Sequence, residues 1–553
     1  MRLRTSIYLA LLCFLALAAG WGQSRPVATT SVADIPHLRK QGTATQLIVD
    51  GKPFLALAGE LSNSTATSVE YMKMVWPRLV AAKVNTVLAG VSWNQIEPQE
   101  GKFDFSVLDG VIQGARVHNL RLVLLWFGSW KNSLSSYAPD WLKKDYERFP
   151  RARSAGGQSI ELLSPFSDAN RDADARAFAA LMRHVKEVDG RAHTVVMVQV
   201  ENEVGMHTDS RDHSPLADKA YAGPVPKELM DYLQQHKDTL IPEFRQAWDA
   251  AGFKTSGSWE EVFGEGAATE GIFMAWQYAR YLDRVAQAGK AEYPLPMFAN
   301  AALYAVGKGF TPSGGRPWDL VMDVWKAGAP RIDILSPDIY SQPDFVAFCA
   351  KYTQSGNPLF IPETRYQMEA RVLYAFGRHD AIGISLMGVE RAETPDPEMV
   401  SGYEIIAQLA PLIARHQGNG TMSAVLLRPD DPPQKVQLGN YTLEVARLRP
   451  RPSAPQQQGF SAAIFIAAGP DEYYAAGGSV SVTFSPNAPG PEHAGIGTVE
   501  EGTFVNGRWI PSRQLAGDET GQGGNLSLRT HPVDRIPADG YVGIQHVTLY
   551  RYR

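Results

Sequence analysis

The chain has 553 residues, 44% of them apolar and 20% charged, an ordinary globular composition that excludes a disordered or fibrous protein. A formal charge of −5 over that length removes any general electrostatic case for nucleic acid or an acidic membrane as partner. The 12 Trp, 21 Tyr and 22 Phe suit a large core, and also a site that stacks flat ligands such as sugars.

At the start of the chain, Arg2 and Arg4 precede an apolar run from Ile7 to Ala19 that is too short to span a membrane. Ala16-Leu17-Ala18 supplies the small residues a signal peptidase requires. Residues 1–18 are therefore expected to be a signal peptide. The remainder is expected to be exported, periplasmic or extracellular, without stable membrane insertion. Cleavage would remove Cys13 and leave Cys349 with no intrachain disulfide partner, so the cysteines select no redox compartment.

From residue 50 to about 415, short apolar runs alternate with amphipathic stretches. The runs are 54–59, 84–93, 121–128, 194–200, 295–301, 332–340, 358–363 and 381–389. Each is nearly continuous and rich in branched residues, as strands buried on both faces are. Helical patterns lie between them, for example Val69, Met72, Val75 and Leu79, then 172–188, then 403–416. Eight strands alternating with helices is the pattern of a (β/α)₈ TIM barrel, here over residues 45–415. An open doubly wound sheet has the same alternation, but no GxGxxG follows the first strand. Between the fourth and fifth strands, 201–294 holds extra helical patterns at 228–252 and 273–289. An insertion there falls on the active-site side of a barrel and either shapes access or only packs. From 420 to 553 the texture changes to alternating segments separated by Gly, Pro and Asn clusters, the signature of a C-terminal β-sandwich domain. Such a domain either binds carbohydrate or packs on the barrel as a structural unit.

Catalytic groups of such barrels come from the C-terminal ends of strands. The fourth strand ends in VQVENEVG, with Glu201, Asn202 and Glu203, and the seventh in PLFIPETR, with Glu363. Burying an ionised carboxylate costs several kcal/mol unless it is paired. A glutamate closing an apolar strand therefore asks for a reason. A salt bridge would account for one; two, on strands four and seven, point to a pair of working carboxyl groups. Strand alternation does not separate Glu201 from Glu203, since both have the same parity.

VQVENEVG resembles the acid/base motif of glycoside hydrolase family 35 β-galactosidases. DGKPFLALAGELSNS (50–64), VSWNQIEPQEGKFDFS (91–106) and FIPETR (360–365) fit the same family. The segment 469–484 resembles the β-domain found behind a bacterial branch of it. The sequence departs from common members at Val204, where a Tyr is frequent, and at Ile96, where a His is. The resemblance implies a retaining glycosidase with Glu203 as acid/base, selected by the family's Asn-Glu order, and Glu363 as nucleophile. Glu201 would then be a buried structural partner, and Asn202 would hold the sugar 2-hydroxyl. Tyr340, ending strand six, would donate to the nucleophile.

Trp126 and Trp130, near the end of strand three, are candidates to stack on galactose or to fill the core. Lys131 and Asn132 follow and are placed to bind hydroxyls. Trp93, Asn94 and Glu97 end strand two and should support the site. Glu390, closing strand eight, is another candidate sugar ligand. No HExxH, CxxC, GxSxG or SxxK signature occurs, and neither metal nor other cofactor is expected. The expected function is an exo-acting β-galactosidase removing terminal non-reducing β-D-galactosyl residues, with plant cell-wall side chains such as galactosylated xyloglucan as plausible substrates. The alternatives are another β-glycosidase of the same clan, a β-glucosidase or endo-glucanase, or a carbohydrate-binding protein without turnover. Oligomeric state is left open.

Overall fold

The computed structural model describes residues 35–207, 209–303, 314–341, 343–448, 459–529 and 543–553. The expected signal peptide at 1–18 and Cys13 lie outside them. Eight parallel strands close into a barrel: β1 (Ala56–Glu60), β2 (Thr86–Ser92), β3 (Arg121–Lys131), β4 (Val195–Asn202), β5 (Met297–Leu303), β6 (Ile334–Ile339), β7 (Phe360–Thr364) and β8 (Gly383–Met387). Each neighbours the next, and β8 returns to β1, pairing Gly383 with Ala56 through Met387 with Glu60. This is the TIM barrel that the eight apolar runs imply, each run coinciding with one strand.

Alternation along the strands sorts side chains between two environments. On β3, Val123, Leu125 and Phe127 belong to the barrel-interior cluster, whereas Leu122, Leu124 and Trp126 pack outward against the helices. Phe298 of β5 meets Phe360 of β7 edge to face inside the barrel, ring centroids 5.1 Å apart. Leu47 and Val49 join this interior cluster from a three-stranded antiparallel sheet (His37–Gln41, Ala44–Val49, Lys52–Phe54) that precedes the barrel. The turn between its second and third strands is Asp50-Gly51, both at positive φ, the two-residue hairpin that Asp-Gly favours.

After β4 the chain forms short helices at Pro215–Tyr221, Lys227–Gln235, Pro242–Ala250 and Trp259–Phe263. The helical pattern at 228–252 is therefore two helices rather than one. The first ends at Gln235, and the second starts at Pro242, whose missing N–H costs nothing in a helix's first turn. The following helix, Ala267–Glu292, is the barrel's own crossover into β5. It packs on the neighbouring crossover helix, Asp168–Asp189, so closely that a Cβ at Gly289 would collide with Phe178.

The C-terminal part is a sandwich of a six-stranded and a four-stranded sheet, the larger ordered Met422–Leu427, Ser461–Gly469, Glu472–Gly478, Ile544–Tyr552, His493–Val505 and Arg508–Leu515. The larger sheet is buried on both faces. Val425, Leu427, Ala463 and Phe465 face the smaller sheet, while Ala424, Leu426, Ile464 and Ile466 join the core around the barrel. The barrel contributes the helix Met368–His379, where a Cβ at Gly377 would stand 2.7 Å from both Ala424 and Ile464. No helix among the described residues is long and apolar enough to cross a membrane.

Candidate active site

The C-terminal ends of the strands bring a set of buried polar groups to one mouth of the barrel. Glu203 follows β4 and is 8% exposed; Glu363, in β7, is 3% exposed; Asp338, in β6, is fully buried. One carboxylate oxygen of each lies within 4.8 Å of those of the other two. The Tyr340 hydroxyl, one residue past β6, donates to Oε2 of Glu363. Oε1 of Glu363 is buried without a partner among the described residues. Asn300, in β5, links the neighbouring strand ends: its Oδ1 accepts from the Glu203 amide at 3.0 Å and its Nδ2 donates to Asp338 at 2.8 Å.

Glu201 and Glu203 share a parity in the sequence, yet they part company in the structure. Glu201 has φ 62° and Glu203 φ 46°, left-handed conformations that cost a non-glycine residue about 1–2 kcal/mol each. The break in alternation turns Glu201 away from the pocket. Register explains what receives it: Trp126 pairs with Val200, but the next pair is Lys131 with Asn202, so β3 bulges over 127–130. The bulge frees the amides of Ser129 and Trp130, which donate to Glu201 at 3.1 and 2.6 Å. Gly128 allows this approach, since a Cβ there would collide with Trp126 and with Glu201 itself. Asp174, on the outer helix, stands beside Glu201 as well; burial first, and then that like charge, raise the Glu201 carboxyl well above its ordinary range. Glu201 is thus held by backbone amides, with no oxygen turned to the pocket.

Lys131 ends β3 inside the pocket, 6% exposed, and its Nζ donates to Asn202 Oδ1 at 2.8 Å. That bond fixes the amide and leaves Asn202 Nδ2, a donor, buried and unpartnered among the described residues. Glu390 lies just past β8. Its Oε1 accepts from the Ser62 amide at 2.9 Å and the Thr65 hydroxyl at 2.8 Å, and its Oε2 is buried and unpartnered among the described residues. Glu97 accepts from Trp93 Nε1 and from the Gly101 amide, bracing the loop after β2.

Trp126 and Trp130 do not line the pocket. Both are fully buried on the outer side of β3. The Trp126 N–H goes to Asp174 at 2.9 Å and that of Trp130 to the Leu163 carbonyl at 3.0 Å; the rings pack on Phe178 and Tyr281. They are core residues, and no face of either is open to a sugar. Asn132 is exposed.

Sequence reasoning passed over Glu60, Asp338 and Asn300. Each is a polar residue inside or ending an apolar barrel strand, the same signal that singled out Glu203 and Glu363. Glu60 ends β1 at 1% exposure, with both carboxylate oxygens unpartnered among the described residues. Burial, then the Glu363 charge, raises Glu60 and Asp338 well above the ordinary carboxylate range. The same two causes push Glu203 up to about 7, against the opposing pull of Lys131. Three carboxylates this close also have the spacing of cation ligands. Tyr340 donates to Glu363 and Asn300 to Asp338.

Residues 67–272, which run from before the first barrel helix through β4 and Glu203, match the family model of glycoside hydrolase 42, described as beta-galactosidase. That stretch of the barrel is similar to β-galactosidases. The matching family is numbered 42, where the motifs resemble family 35. Residues 399–527 match a domain of unknown function, DUF5597, across most of the sandwich. A beta-galactosidase of Xanthomonas manihotis is 30% identical over 205 residues, which cover 35% of this chain and 30% of that protein. The human beta-galactosidase-1-like protein 3 is 30% identical over 195 residues, covering 33% and 28%. The chain thus spans under a third of the length of these curated relatives. Among solved structures, the β-galactosidase of the psychrophilic Marinomonas ef1 aligns over 65% of this chain and 60% of its own, with 14% identity and a TM-score of 0.43. That of Bacillus circulans sp. alkalophilus aligns over 65% and 57%, with 16% identity and a TM-score of 0.43.

Proposed function

We propose that the protein is an exported, retaining, exo-acting β-galactosidase of the family 35 type, hydrolysing terminal non-reducing β-D-galactosyl residues of oligo- or polysaccharides such as plant cell-wall side chains. The observation that carries this is that Glu203 and Glu363, at the ends of strands four and seven, bring one carboxylate oxygen each within 4.8 Å of one another across the barrel mouth. Retaining glycosidases hold their carboxyl groups ~5–5.5 Å apart, whereas inverting enzymes leave ~6.5–9.5 Å for a water. The β-galactosidase match over 67–272 supports the choice of sugar.

In this mechanism Glu363 is the nucleophile. Tyr340 donates to Oε2 and fixes the carboxylate, while Oε1, unpartnered among the described residues, attacks the anomeric carbon. Glu203, kept protonated by burial and by the Glu363 charge, gives its proton to the leaving oxygen. Formation of the glycosyl ester neutralises Glu363. One cause of the raised Glu203 pKa then disappears, and Glu203 becomes the base that takes a proton from the incoming water. Asn202 Nδ2 is the donor for the 2-hydroxyl, a bond that strengthens in the transition state.

Two measurements test this. Proton NMR of the anomeric signals in the first minutes of hydrolysis should register β-galactose before α-galactose. Appearance of the α-anomer first would require a water between the carboxyl groups and would overturn the assignment of Glu363 as nucleophile. The second is the alkaline limb of kcat/KM. The reactive form of Glu203 is the acid, so its population falls as pH rises through about 7, and the rate should fall about tenfold per pH unit above it. A rate that stays flat to pH 9 would remove Glu203 as the general acid.

A further inference from the structure

Glu60 has no role in the mechanism above, yet its position is energetically demanding. It ends β1, opposite Leu88 of β2 and Met387 of β8, with both oxygens buried and unpartnered among the described residues. A buried carboxyl group with neither oxygen bonded forfeits its hydration without return, which a stable fold tolerates where a ligand restores the bonds. Its electrostatic neighbours are Glu363, Lys131, Glu203 and Glu390, so it faces the same pocket.

The order of strands around the mouth says which part of a ligand Glu60 meets. Going around the closed sheet, Asn202 ends β4 with Glu203 just past it, Lys131 stands on β3, Glu60 on β1, Glu390 just past β8, and Glu363 on β7. The placement of the sugar rests on the proposed galactosidase reading. A pyranose with its anomeric carbon between Glu203 and Glu363 and its 2-hydroxyl at Asn202 runs onward past Lys131. Its third and fourth carbons then arrive at β1, across the pocket from the reacting carbon. We propose that Glu60 is a specificity-determining residue that binds the adjacent 3- and 4-hydroxyls of the sugar through its two carboxyl oxygens. A vicinal diol presents two hydroxyls at a spacing that two oxygens on one carbon can meet together, and Lys131 supplies the neighbouring positive charge. Glu60 therefore reads the hydroxyl whose orientation distinguishes galactose from glucose.

The test is a cycle between Glu60→Ala and the substrate's own hydroxyls, using 4-nitrophenyl β-galactoside and its 3-deoxy, 4-deoxy and 6-deoxy analogues. Hydrogen bonds of an uncharged carboxyl group contribute ~0.5–1.5 kcal/mol each, so two of them correspond to roughly 5- to 150-fold in kcat/KM on the parent substrate. The variant should lose that factor on the parent and on the 6-deoxy compound. It should lose at least twofold less on the 3- and 4-deoxy compounds, each of which lacks one of the hydroxyls in question. An equal loss on all four would overturn the proposal and make Glu60 a group acting through Lys131 or Glu363. If Glu60→Ala does not fold, Glu60→Gln, which keeps the side chain's shape, is carried through the same series under the same criterion. The two readings fail separately. Wild-type turnover of the β-glucoside in place of the galactoside overturns the galactosidase reading, and the deoxyglucosides then decide Glu60. Absence of turnover on any glycoside overturns both.

Discussion

Glu363→Ala is expected to lower kcat on an aryl β-galactoside by roughly 10⁵-fold, on the scale of losing the nucleophile in enzymes that work through a covalent intermediate. Added azide or formate should restore a substantial part of that loss. The substitution empties a buried space on the face of the sugar opposite the leaving group, where Oε1 of Glu363 stood free to attack. A small anion entering that space attacks from the same side, and azide would be recovered as the α-galactosyl azide, since only one displacement has occurred. Unchanged activity would take the nucleophile role from Glu363. A loss that no anion rescues, together with an altered thermal unfolding profile, would place Glu363 among residues that hold the strand ends together.

The barrel was legible because its strands are buried on both faces. Burial on both faces writes a strand as a continuous apolar run, and eight such runs leave little freedom in topology. The hairpin before the barrel carries a weaker signal, the Asp50-Gly51 turn between strands too short to stand out. At the site, position along a strand was informative and side-chain direction was not. Trp126 and Trp130 lie near a strand end, as a sugar platform would, but both turn to the helices; counting from Val123 and Leu125 places Trp126 there, whereas Trp130 lies in the bulge over 127–130, where alternation no longer holds. The same counting could not separate Glu201 from Glu203, because the answer lies in a left-handed backbone and a bulge in the neighbouring strand. Those features come from pairing between strands that are far apart in sequence. Glu60 and Asp338 carried the signal of a charged residue within an apolar strand, and no motif drew attention to them.

Glu203→Gln separates the two glutamates of β4 functionally. General acid catalysis contributes ~10²–10⁴-fold, and its value depends on how much the leaving oxygen needs a proton. The loss should therefore be greatest for substrates with a poor leaving alcohol and smallest for 2,4-dinitrophenyl β-galactoside, whose phenolate departs without help. With that substrate the glycosyl-enzyme still forms, but no base remains to activate water, so it should accumulate and appear as a burst followed by slow turnover. Azide, which needs no base, should speed the second step and give the β-galactosyl azide, the anomer opposite to that from Glu363→Ala. Glu201→Gln should behave differently. Both Glu201 oxygens accept backbone amides from the β3 bulge, and an amide side chain presents an NH₂ group where one of those acceptors stood. The expected result is lower thermal stability and a loss that is equal for good and poor leaving groups. If instead Glu201→Gln follows the leaving group and Glu203→Gln does not, the acid role belongs to Glu201 and the pocket geometry around Glu203 has another purpose.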